Sequence, residues 1–243
     1  MYAIFRKELR QFFSSLIGYI AIGVFLLLVG FLVWFAPDTN ILDAGYATLD
    51  EFFKWAPFIL LMLIPAITMR SFSEEMQSGT IELLATRPLT DTDIIFGKFF
   101  AALTLVLAAI APTLIYFYTV YQLASPIGNV DVGGIIGSYF GLIFLSAVFV
   151  SISLFTSSVT RSQIVAFLGG AFICFIFYYA VEVLARLGVF YGKSDYLVEQ
   201  IGLYSHYESI SRGIVDTRDV VYFLSFIALF TLFTRTSLAS RKW

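Results

Sequence analysis

Gly192-Lys193-Ser194, with Gly188 upstream, is the stretch whose residue types come closest to phosphate-binding chemistry. A phosphate-binding loop needs four residues between its glycines so that backbone amides wrap the phosphates, and it follows a strand. Here one residue too few separates Gly188 from Gly192, and no strand pattern precedes them. We read a polar turn, so this chain does not bind ATP by that route. His206 stands without a Cys or an HExxH companion at ligand spacing, so a zinc hydrolase is not expected. Cys174 lies inside an apolar run and reads as a small apolar residue, not a thiol site. Glu182 is the main acid near a long apolar run, with Arg186 four residues on. An interfacial helical ion pair is one reading. The lining of an exit path is the other, because acids within membrane segments tend to be functional. The apolar runs carry no paired Asp, no Ser/Lys pair and no His cluster, so no intramembrane active site, metal or cofactor is expected.

The elements that would position such residues follow from composition. The chain has 243 residues, 59% of them hydrophobic and only 13% charged. Soluble domains carry about 25% charged residues. The net charge of -2 gives no footprint for nucleic acid. Crossing a bilayer core of ~30 Å takes about 20 apolar residues in a helix. Six runs qualify: Leu16–Phe35, Phe52–Met69, Phe99–Tyr121, Ile135–Ser157, Ile164–Leu184 and Val220–Leu238. Arg6, Lys7, Arg10, Arg70, Arg87, Lys98, Arg161, Arg235, Arg241 and Lys242 flank them on one side. Lys54 is the one base in the two shorter loops of the other side. This bias predicts both termini in the cytoplasm. Trp34, Trp55, Tyr116, Tyr118, Tyr121, Tyr139, Tyr178, Tyr179 and Tyr222 gather at the outer ends, as an interfacial belt would.

The segment Ser71–Asp93 is a polar interruption on the cytoplasmic side. Ser71 with Glu74 reads as a capping box that starts a helix. Gly79 reads as its left-handed stop. Thr80 caps a second short turn over Ile81–Thr86, with Glu82 near its positive end. Pro88 ends that turn, and Thr90 with Asp93 caps the third span. Connectors between helices are usually 2–8 residues long. This one is longer and repeatedly capped, so we expect an ordered docking element, apolar along Met76, Ile81, Leu83 and Leu84 and acidic on its other side. Upstream, Ile4, Phe5, Leu9, Phe12 and Phe13 interleave with Arg6, Lys7, Glu8, Arg10 and Gln11, the pattern of a helix in the headgroup plane. The outer segment 185–219 reads as a helical hairpin dipping into the outer leaflet. Ser205 and Glu208 form its capping box, Gly213 its stop, and Asp216 and Asp219 open the last span. Gly133, Gly137 and Gly141 permit close helix contact, and the Ser and Thr of Ser151–Ser162 read as packing.

Glu75-x-x-x-Gly79-Thr80-x-Glu82-Leu83-Leu84, then Thr86-x-Pro88, then Gly97-Lys98, resembles the cytoplasmic coupling segment of type-2 ABC exporter permeases. Ile4–Ser14 resembles that family's interfacial helix. Ser157-Ser158-x-Thr160-Arg161-Ser162-Gln163-x-x-Ala166 resembles its turn between spans four and five, and Ser205–Tyr222 its outer hairpin. Within the family the chain is most similar to the permease subunit of the gliding-motility ABC complex of gliding, Bacteroidetes-type bacteria, and next to the permease linked to copper-site assembly in nitrous oxide reductase. The resemblance implies an all-α membrane protein in the bacterial inner membrane, with one permease domain over 1–243, six spans, an interfacial helix, a coupling segment 71–93 and an outer hairpin 185–219. It implies a separate ABC ATPase as partner, hydrolysing ATP in place of this chain. It also implies a second permease subunit, a copy or a relative, and a lipid surround. Glu74, Glu75, Met76, Gly79, Thr80, Glu82, Leu83 and Leu84 are then the ATPase-coupling residues, and Glu182 a residue of the exit path. A membrane scaffold driven by an ATPase without transport would carry the same features.

Overall fold

Backbone amides inside a bilayer must be hydrogen-bonded within the protein, which a helix achieves inside a single segment. The apolar runs obey this: every regular element among the described residues is helical. The structure is a computed structural model and describes residues 1–37, 39–43, 45–80, 90–186, 200–213 and 216–240. Helix α1 (Tyr2–Ser14) turns at Ser15 into α2 (Leu16–Trp34). The axes of Tyr2–Ser14 and Gly18–Trp34 differ by 68°. The chain continues through α3 (Asp50–Thr68), α4 (Arg70–Gln77) and α5 (Asp91–Ile110). Pro112 lies in a 3-10 turn, Ala111–Thr113, that leads into α6 (Leu114–Leu123). Then come α7 (Val132–Val159), α8 (Gln163–Phe175), a π turn (Ile176–Ala180), α9 (Val181–Arg186), α10 (Leu203–Ser211) and α11 (Thr217–Ser240). Among the described residues five continuous helical stretches, Asp50–Gln77, Asp91–Leu123, Val132–Val159, Gln163–Ala185 and Thr217–Ser240, are long and apolar enough to cross a membrane, and six if α1 with α2 is one bent span.

α7 is the axis of the bundle. Its most apolar window is 72% buried, against 28% for Gln163–Ala185 and 17% for α11. Small residues allow this. A Cβ on Gly137 would lie 2.6 Å from the Ile210 carbonyl oxygen, so α10 packs directly on the glycine face. Most buried hydroxyls of α7 (Ser146, Ser151, Thr156, Ser158) donate to carbonyls three or four residues back in their own helix. Thr156 also reaches the Ala166 carbonyl, which ties α7 to α8.

Several sequence expectations change. The Ser71–Glu74 capping box does not form: α4 follows α3 after Met69, which keeps right-handed helical angles. Glu74 instead pairs with Arg70 at 2.9 Å. The cap comes from α7, where Ser157 Oγ accepts from the Phe72 and Ser73 amides and donates to the Met69 carbonyl. The Ser205–Glu208 capping box is also absent. Ser205 donates to the Gly202 carbonyl and Glu208 takes Arg212. His206 is not alone, for its Nδ1 lies 2.7 Å from Asp219 Oδ1 and its ring stacks on Tyr222. Asp219 therefore binds His206, and Asp216, accepting from the Arg218 amide, opens α11. Tyr178 is fully buried rather than part of an interfacial belt. The Thr90–Asp93 box does form, and Gly79 and Gly213 do adopt left-handed angles, φ 72° and 83°. The turn over Ile81–Thr86, the Gly188–Ser194 stretch, the Arg186 side chain and Arg241–Trp243 lie outside the described residues.

Candidate functional site

The site is built where α1, α4 and α5 meet. α1 carries Glu8 on the same side as Ile4 and Phe12, at the one-turn spacing that makes one helix face. Ile4 is 4% exposed and Glu8 5%, so an acid is buried on the packed face of a surface helix. α5 receives that face at Gly97, where a Cβ would come 2.9 Å from Ile4 Cβ. Only a glycine lets the two backbones come this close. The next residue, Lys98, is 2% exposed.

Lys98 joins the three elements. Its Nζ donates to Glu8 Oε1 at 2.8 Å and to the Ser71 carbonyl at 2.6 Å. It also makes an ion pair at 3.0 Å with Glu75 Oε2, an oxygen without hydrogen-bond geometry to any described donor. The Phe72 ring lies 5.1 Å from the same ammonium, within reach of a cation–π attraction. Lys7 closes the circuit from the surface, 2.8 Å from Glu75 Oε1 and 3.5 Å from Glu8 Oε1. Two ammonium groups thus face two carboxylates. Burial pulls the Lys7 ammonium toward neutrality, but the hydrogen bond and charge of Glu75, then those of Glu8, outweigh it. Its pKa is held above the usual lysine value. At neutral pH Lys7 therefore stays charged.

The arrangement breaks no bond. It makes one joint of a surface helix, the short helix α4 and the start of a long apolar helix. Ser157 fixes the other side of α4 to α7, so α4 is held by three helices. At the far end of α4, Ser78 caps against the Glu74 carbonyl and Gly79 turns the chain out.

The expected site residues divide accordingly. Glu75 and Met76 point inward, with Met76 6% exposed. Glu74 is half-buried beside Arg70, while Gly79 and Thr80 are at the surface. Glu82, Leu83 and Leu84 lie outside the described residues. Glu182 is at the opposite end of the bundle, 7% exposed and just after the π turn that carries Tyr178. Among the described residues no group of acids, histidines and cysteines is arranged to hold a metal. In the sequence Lys7 and Glu8 stand only as polar positions of the interfacial helix, and Lys98 and Ser157 only as members of the motifs that resemble the coupling segment and the turn between spans four and five. The available signals were an acid at helical spacing with Ile4 and Phe12, and a lysine inside the apolar run Ile94–Leu103.

No curated protein matches the chain. A family model described as ABC-2 family transporter protein matches residues 2–242.

Proposed function

The chain belongs to the ABC-2 family of transporter proteins, and from that premise we propose that it is the permease subunit of an ATP-driven exporter whose moving contact is α4 with the segment that follows it. Members of this family are multi-pass membrane components, not themselves catalytic, and normally work with an ABC ATPase. The observation that carries the reading is the Lys98 joint. A force on α4 reaches α1 and α5 through one buried ammonium, and α7 through Ser157. Closure of the ATPase dimer would push α4, and the long helices would tilt with it.

In this reading Gly79, Thr80, Glu82, Leu83 and Leu84 face the ATPase. Glu74, Glu75 and Met76 hold the lever they hang from, and Glu182 stands at the exit side. The finer assignment is the gliding-motility branch of the family, on the resemblance of the coupling motif, with a second permease completing the path. Both termini would be cytoplasmic in the bacterial inner membrane, by the Lys/Arg bias.

Recovery of the tagged full chain from native membranes, with mass spectrometry of what comes with it, tests the assignment. An ABC ATPase and a second membrane subunit should be enriched. If neither is recovered under conditions that keep membrane complexes intact, the permease reading fails. Orientation is tested separately. A cytoplasm-active reporter after Trp243 and a periplasm-active reporter within 194–205 should both be active. A C-terminal reporter active only outside would overturn the topology.

A further inference from the structure

We infer that α1 carries a binding stripe for the headgroups of anionic phospholipids, centred on Arg6 and Arg10. At the end of the bundle where α1 and α4 lie, Glu8, Glu74 and Glu75 are engaged by Lys7, Lys98 and Arg70. Asp93 is folded into the α5 capping box and pairs with the N-terminal ammonium at 3.3 Å, which leaves Asp91 as an exposed acid in the first turn of α5. Arg6 and Arg10 are exposed, and neither has an acidic partner within ion-pair distance among the described residues. They stand at i and i+4 and so share one helix face.

Their surroundings select the occupant. Tyr2, four residues before Arg6, is 72% exposed, and Phe13, three after Arg10, is 38% exposed. The stripe therefore borders an exposed apolar strip. Past the bend at Ser15 that strip runs on through Leu16, Tyr19 and Ile20, all more than half exposed, into the apolar surface of α2. A cation beside apolar surface that leads into a span sits where acyl chains meet phosphates. A guanidinium fork matches a phosphate with two parallel hydrogen bonds. Charge complementarity and this continuity favour a lipid over a protein partner. The inference does not depend on ATPase coupling.

The test uses the purified full chain in mixed micelles of equimolar phosphatidylglycerol and phosphatidylcholine, with bound lipid counted by native mass spectrometry. Wild type should be enriched in phosphatidylglycerol. R6Q/R10Q should lower that enrichment by up to about five-fold per arginine, from the ~1 kcal/mol each basic residue contributes near an anionic surface. R6K/R10K, which keeps the charge and loses the fork, should keep part of it, and R218Q, an exposed arginine at the other end, all of it. Raising salt from about 0.1 M to about 1 M shortens electrostatic reach from ~10 Å to ~3 Å and should lower the wild-type enrichment with no mutation. Soluble glycerol 3-phosphate in excess should not displace the lipid. Equal binding of the two lipids by wild type, enrichment unchanged in R6Q/R10Q, or full displacement by glycerol 3-phosphate would each overturn the proposal. Enrichment unchanged with loss of a copurifying ATPase would assign the stripe to the protein partner instead.

Discussion

Replacing Lys98 by methionine should cost about 3–5 kcal/mol of stability, because it removes one partner of a buried ion pair and leaves the others unpaid. Glu8 and Glu75 would then share a site from which water is largely excluded, with only the half-exposed Lys7 to answer two carboxylates. The chain should be recovered in lower yield and melt earlier in detergent. The triple variant Lys98→Met, Glu8→Gln, Glu75→Gln leaves no buried carboxylate without a counter-ion and should regain part of the loss. Lys54→Met is the contrast. Its pair with Glu51 is surface-exposed, and such pairs contribute about 0–1 kcal/mol. If Lys98→Met melts like Lys54→Met, Lys98 is not a joint.

Gly137→Val should release α10 from α7. The added Cβ would meet the Ile210 carbonyl oxygen at 2.6 Å and Gly213 Cα at 2.9 Å. Both are backbone atoms and cannot swing aside, so the helices must part. Overpacking of this kind costs about 1–3 kcal/mol. Loss of the neighbouring bond from Ser138 Oγ to the Ser211 carbonyl adds to it. Ile210 is fully buried. In a Cys174→Ser background, a cysteine at 210 should label slowly with an impermeant thiol reagent, and fast once Gly137→Val is added. Gly23→Val should leave labelling unchanged, because nothing lies within 4 Å of its Cβ position. Slow labelling in both would show that the glycine face does not set the contact.

The helical class and the positions of the apolar runs were legible because both depend on local composition. A lipid core forces the backbone into helices whatever the neighbours are. Two stops, Gly79 and Gly213, and one capping box, Thr90 with Asp93, were legible for the same reason: their partners lie within a turn. The box at Ser71 failed because the cap of α4 lies elsewhere in the chain, and the box at Ser205 because α10 already starts at Leu203, with Gly202 as its N-cap. Ser157 reaches the α4 amides from 84 and 85 residues away. Glu74 had a better option in Arg70, and Glu208 in Arg212, each one helical turn distant. Glu75 looked like one edge of an acidic surface because sequence cannot show that Lys7 and Lys98 converge on it across 68 and 23 residues. His206 looked alone for the same reason, since Asp219 comes from the next helix. Long-range pairing of charges was the illegible part, and it is the part that builds the candidate site.

The proposed coupling to an ATPase rests most directly on the direction in which the chain leaves α4, where Gly79 takes a left-handed conformation. Its φ of 72° suits glycine, while a Cβ there would meet nothing within 4 Å. Gly79→Val therefore alters the exit of the chain without disturbing packing, at a cost of roughly 1–2 kcal/mol for an L-residue held left-handed. Gly45 is a matched control at the other end of the bundle, with φ 71° and equally open surroundings. The decisive measurement is the amount of ABC ATPase recovered with the tagged, membrane-inserted chain. The account predicts normal recovery with Gly45→Val and markedly reduced recovery with Gly79→Val, with Glu82→Lys reducing it as well. Wild-type recovery and ATP-dependent activity in all three variants would contradict it and leave the segment 71–93 a connector.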